Sequence, residues 1–309
     1  MAPFVWIRPA YSRPDSLTDA QVQAIPNPES VDMGGAMRLL GYDLQETATT
    51  PGDQVAVTLY WEALAPTKKD YSVFVHLLDK HDLLVAQRDT LPGLGLLSTT
   101  WLEPGFRWAD RYVLELPTTA YSPNQAQIEV GLFDAKTGQR LPATDPDGQL
   151  LGDNMRFGHV EIYAPPGDLS NPVSVNFADR MELIGYDLTR RTIQPGETVT
   201  LTLHWRARRS LKKNYTVSAQ LIDASQRKAA QHDSWPLDGA APTTGWEPGQ
   251  TLVDGVPLHV FPDTPEGPYL VRIAVYVHQD GEIAHLPVTP PRGRMQATHI
   301  IVTSVRVTP

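Results

Sequence analysis

The chain has 309 residues, 41% of them hydrophobic and 20% charged, with a formal net charge of −9 and no cysteine. That is enough apolar material for packed cores, while the acidic balance offers no basic footprint for nucleic acid or anionic lipid. The absence of cysteine excludes disulfides, thiolate metal sites and cysteine nucleophiles, and no apolar run approaches the roughly 20 residues that cross a bilayer.

Taken in chain order, the first apolar run is "APFVWI" at 2–7. It is too short to span a membrane and lacks the basic leader of a signal peptide, so neither is expected. Thr18 and Gln21 in "LTDAQVQAI" have capping-box spacing, which predicts a short helix at about 17–25 inside an N-terminal arm, 1–30, that "IPNPES" brings to a stop. Strands follow. "MRLLGYDL" at 37–44 opens the series, and in "QVAVTLYWEA" at 54–63 the residues Val55, Val57, Leu59 and Trp61 alternate with Gln54, Ala56, Thr58 and Tyr60. This period of two marks a half-buried strand with Trp61 inward and Tyr60 outward. Further strand-like runs occupy 71–79, 83–89, 111–117, 126–134 and 157–163, separated by Pro, Gly, Asp and Asn clusters that serve as turns.

A Pro-rich segment, "APPGDLSNPVS" at 164–174, then predicts an extended linker, assigned to 166–174. Beyond it the text repeats itself. A shift of 144 positions lays "MRLLGYDL" on "MELIGYDL" at 181–188, "PGDQVAVTLYW" on "PGETVTLTLHW" at 195–205, Lys69 and Tyr71 on Lys213 and Tyr215, and "EPG" at 103–105 on "EPG" at 247–249. Strands are accordingly predicted at 215–223, 228–234, 255–261, 269–277 and 297–307. A period this long is the size of an independent domain, far beyond a solenoid unit. About seven short strands per copy with no helix between them predict an all-β fold of two tandem immunoglobulin-like or jelly-roll-like antiparallel sandwiches, 31–165 and 175–309.

The repeat also sorts residues. Trp61 and Trp205 occupy the apolar phase of equivalent strands and are expected in the cores. Trp101 and Trp246 lie in turn-rich loops, "STTWLEPG" and "TTGWEPG", where an indole either plugs the end of a sandwich or stacks on a sugar face. With Tyr60, Asp110 and Asp254 they form the candidate ligand-binding set. Asp110 and Asp254, five residues after a Pro-Gly turn, read equally as carboxylates that tie loops to strands. Metal signals are weak: "HLLDKHD" offers His76, Asp79, His81 and Asp82, but the second copy reads "QLIDASQ" and a turn explains Asp79 to Asp82, while Asp145, Asp147 and Asp153 resemble a calcium loop without EF-hand spacing. No phosphate-binding glycine loop or nucleophile elbow occurs, no facing carboxylate pair is specified, and no cofactor or catalytic residue is implied. An independent enzyme is therefore not expected.

One resemblance adds to this. "LLGYDL", "PGDQVAVTLYWEALAPTKKDYSVFVHLLD", "LVAQRDTLPGLG", "TTWLEPG", "DRYVLELP", "GLFDAKTGQRLP" and "LGDNMRFGHVEIY" together resemble the extracytoplasmic β-sandwich modules of Chloroflexi-type membrane glycosyltransferases, which look like dolichyl-phosphate-mannose protein mannosyltransferases. It covers the first copy almost end to end and the second more loosely, and "FVWIRPAYSRP" at 4–14 resembles the exit of such a chain from its last membrane helix. The multi-helix catalytic region is absent from this sequence. The resemblance implies an extracytoplasmic accessory module with a glycan or a membrane glycosyltransferase as partner; a structural spacer or docking module is the alternative.

Overall fold

The computed structural model of the chain describes residues 14–279, 281–289 and 297–309. Among the described residues one short helix precedes the sheets: α1 (Asp19–Gln23), capped reciprocally by Thr18 Oγ1 accepting from Gln21 N and Gln21 Oε1 accepting from Thr18 N. The first sandwich comprises β1 (Asn27–Met33), β2 (Met37–Leu44), β3 (Ala48–Thr49), β4 (Gln54–Ala63), β5 (Tyr71–Asp79) and β6 (Leu84–Thr90). It continues with β7 (Arg107–Glu115), β8 (Asn124–Asp134), β9 (Ala143–Thr144), β10 (Leu150–Gly152) and β11 (Met155–Ile162). A sheet in the order β10-β9-β1-β2-β4-β7 faces one in the order β3-β11-β8-β5-β6.

The second sandwich comprises β12 (Asn171–Phe177), β13 (Met181–Leu188), β14 (Thr192–Ile193), β15 (Thr198–Ala207), β16 (Thr216–Ile222) and β17 (Lys228–Ser234). Then come β18 (Thr251–His259), β19 (Gly267–Gln279), β20 (Glu282–His285), β21 (Val288–Thr289) and β22 (His299–Val307). Its sheets run β18-β15-β13-β12-β21 and β14-β22-β19-β16-β17, with β20 pairing to β19. Each sandwich encloses its own core: Trp61, Trp108 and Tyr112 anchor the first, Trp205, Phe177 and Tyr186 the second.

Several strands match their predicted limits, among them 37–44, 54–63, 71–79, 181–188 and 228–234. Three differences are instructive. First, β1 and β12 occupy segments read as the tail of the arm and the linker. Pro28 and Pro172 sit at the start of each strand, and both strands carry a register break between that proline and Val31 or Val175. A bulge accommodates the missing N–H. Second, β7 and β18 begin four residues earlier than expected, because Asp110 and Asp254 occupy inward positions and interrupt the apolar alternation. Third, the sheets are not wholly antiparallel: β3 pairs with β11 and β14 with β22 in parallel.

The two sandwiches meet through a polar junction. Arg191, on the turn before β14, donates from Nη1 to Asp79 Oδ2 at 2.5 Å and from Nε and Nη2 to the Ser304 carbonyl at 3.3 Å, with its guanidinium 4.5 Å from the Tyr121 ring centroid. Asp79 is fully satisfied. It also accepts from Asn124 Nδ2, and from the amides of His81 and Leu83 in its own turn. Around this pair Tyr186 Oη donates to the Thr119 carbonyl (2.7 Å), Ser122 N donates to Asn171 Oδ1 (2.7 Å), and Arg306 donates to the carbonyls of His81 and Asp82.

Candidate functional site

The loop between β6 and β7 carries Trp101 and is pinned at three depths. Gly93 N and Tyr112 Oη both donate to Asp110 Oδ2, at 2.8 and 2.7 Å, so an inward carboxylate on β7 holds the first turn. Leu97 is buried below. A one-turn 3-10 segment, Thr99–Trp101, follows, in which Thr99 Oγ1 accepts from Tyr71 N and donates to the Lys69 carbonyl. Ser98 Oγ donates to Asp70 Oδ1 at 2.5 Å and accepts from Thr100 N. The second copy rebuilds the anchor with Thr243 between Tyr215 N and the Lys213 carbonyl. The Lys and Tyr shared by the repeats thus mark backbone that clamps a threonine.

On this platform the two loop tryptophans part company. Trp101 is 69% exposed; Trp246 is 4% exposed, its indole Nε1 donating to the Ala241 carbonyl at 3.2 Å. They are not equivalent residues. The 144-residue shift places Trp246 on Leu102, which is also buried, and Trp101 on Gly245. Trp246 therefore plugs the end of its sandwich, and of these two Trp101 is the one whose ring is open to solvent.

The other candidates take structural positions. Asp110 and Asp254 are buried and serve the loops, Asp254 accepting from Leu237 N at 2.9 Å; burial pushes both carboxyls above their ordinary range, against the hydrogen bonds they accept. Both are turned inward, toward the loops they hold. Tyr60 lies partly exposed on the outer face of β4, paired in register with Gly41 and Ala109. Asp145 Oδ1 accepts from the amides of Asp147 and Gln149, closing its own turn, while Asp153 accepts from Asn154 Nδ2 and Arg140 Nη1. Among the described residues no group of three or more His, Asp or Glu side chains is arranged to hold a metal ion.

A charged network missed by the sequence reading covers the outer face of β6-β5-β8-β11. His76 contacts Asp89 through Nε2 (3.0 Å) and Glu129 through Nδ1 (3.4 Å), and Arg140 and Arg156 close on Glu129 at 3.6 and 3.4 Å. Burial opposes a charge on His76, but the hydrogen bonds to Asp89 and Glu129 outweigh it and push its pKa up to about 9. Burial likewise raises Glu129, and His76 and the two arginines overcome this to hold it below the usual range. The signal was the period of β5, which places His76 opposite Glu129 across the β5–β8 ladder. Every acceptor here is matched by a cation, so the network braces the sheet.

Among the described residues no helix is long and apolar enough to cross a membrane. Neither a protein-family model nor a curated protein matches the chain.

Proposed function

We propose that this chain is a non-catalytic accessory module of a membrane glycosyltransferase or another surface-glycosylation system, working outside the cytoplasm and contacting glycan through Trp101. The carrying observation is the exposed Trp101 ring on a loop fixed by Asp110, Thr99 and Ser98. An indole held open on a hydrogen-bonded turn presents a flat apolar face beside the exposed Thr100 hydroxyl, the combination that stacks on one face of a pyranose and hydrogen-bonds its edge. The second copy has Gly245 there and so lacks a ring at the equivalent position.

A glycan-array comparison of the intact chain with Trp101→Ala tests this, after circular dichroism establishes that both are folded. Binding that disappears in the variant supports the reading, and a blank array from folded protein counts against it.

A purely structural reading is favoured by a different observation, the buried Arg191–Asp79 ion pair that ties the two sandwiches together. On that reading the module spaces and orients a membrane partner. It fails if deleting the module leaves partner assembly intact.

A further inference from the structure

Beside the polar junction the two sandwiches leave a cleft of about 660 Å³, within the range of small-molecule sites, at the kind of inter-domain position where such sites concentrate. Its walls come from both bodies: Leu84, Leu116 and Tyr121 on one side, Leu270, Ile301 and Ser304 on the other. Leu84 is 46% exposed and Leu270 37% exposed, so each wall holds a large aliphatic side chain open to solvent.

The internal repeat provides a control for that exposure. Leu84 pairs with Leu78 on β5, and the equivalent pair in the second sandwich is Lys228 with Ile222. Leu270 pairs with Ile222 on β16, and the equivalent pair in the first is Gln127 with Leu78. Ile301 lies opposite Arg272, whose counterpart Glu129 lies opposite Arg156. At all three positions the copy that lines the cleft carries an aliphatic residue and the other copy carries Lys, Gln or Arg. The fold therefore does not require apolar side chains there; the cleft does.

The charges narrow the occupant. Arg191 borders the cleft, but its guanidinium is taken up by Asp79, the Ser304 carbonyl and the Tyr121 ring. His299 is held below the ordinary imidazole range, chiefly by burial and further by Arg272 and His285, and is neutral near pH 7. Glu115 is the remaining charged side chain of the lining. Among the described residues of the lining no free cation is left for an anionic headgroup, and the walls are too apolar to favour a polyol.

We propose that the cleft between the sandwiches binds an uncharged, largely apolar small molecule, a second site independent of glycan contact at Trp101. The test uses Nile red, a neutral apolar fluorophore, titrated into the intact chain and into a Leu84→Lys/Leu270→Gln double variant, which installs residues that the other copy already carries on the same strands. Saturable binding weakened at least tenfold in the folded double variant, and unchanged in Trp101→Ala, supports the site. Non-saturable uptake, or equal affinity in the double variant, overturns it. Displacement of the dye by 1-decanol but not by decanoate supports an uncharged ligand; equal displacement by decanoate overturns that assignment. None of these outcomes depends on the glycan array, so either site can fail alone.

Discussion

Trp101 and Trp246 show how two similar residues diverge once their neighbours are placed. Trp246→Ala empties a plugged sandwich end and should cost roughly 3–5 kcal/mol, as should Trp61→Ala in the core, whereas Trp101→Ala should change stability by about 0.5 kcal/mol or less. Urea denaturation of the three variants measures this, and a large loss at Trp101 would mean that its ring is part of the core. His76 gives a pH dependence of known sign. Its folded pKa of about 9 lies above the unfolded value, so the stability it contributes is full below about pH 6.5 and disappears as pH rises through about 9. Between pH 6 and 9.5 the wild type should lose on the order of 1–3 kcal/mol more than His76→Gln, the residue type found at Gln220. Parallel pH profiles for the two proteins would remove His76 from this role. At this scale the candidate site was only partly legible. Strict use of the repeat distinguishes Trp101 from Trp246, but the inward turn of Asp110 and Asp254 becomes visible only when the loops are seen to close over them.

Strands β1 and β12 were obscured by Pro28 and Pro172, although the same shift lays "NPESV" on "NPVSV" and so contained the clue that both segments belong to the repeat. The bulge that admits each proline brings its strand close to a glycine on the next, Gly41 or Gly185. Gly41 has φ +145°, and a Cβ added there would collide with the Asn27 carbonyl oxygen. At Gly185 the nearest obstacle is the Leu169 side chain at 2.8 Å, which can move aside, with the Asn171 carbonyl farther away at 3.3 Å. Gly41→Ala should therefore destabilise by about 2 kcal/mol or more, from backbone strain and collision together, and Gly185→Ala by clearly less. Chemical denaturation of the two variants checks the order; the reverse order would contradict the assigned bulge geometry. Long strands with regular alternation were legible because burial on one face imposes a period of two. The two-residue strands were not, since pairs such as Ala48–Thr49 are too short to show any period.

For the whole molecule, the junction decides whether two sandwiches behave as one. Asp79 is fully buried and Arg191 nearly so, which makes the pair costly to break from one side even though its net contribution when intact is modest. Arg191→Met leaves the Asp79 carboxylate buried without its cation and should weaken the junction by roughly 3–5 kcal/mol. Calorimetry should then resolve two unfolding transitions in place of a single coupled one, with an increased radius of gyration in solution scattering. An unchanged single transition would show that the sandwiches are coupled by other contacts. The equivalent of Asp79 in the second copy, Asp223, is instead paired locally with Arg227, and Thr47 stands where Arg191 stands in the second. The latch is therefore built only where the two copies meet.

The sequence by itself determined the two-copy architecture, the all-β class and the identity of the central tryptophans, because these rest on a repeat and on periodic burial that are written locally in the chain. Tertiary structure alone decided that Asp79 and Arg191, 112 positions apart, share one buried contact and that Leu84 and Leu270 line one cleft. Such pairings depend on how two finished sandwiches pack against each other, and that packing is set by side chains distant in sequence whose partners no local pattern specifies.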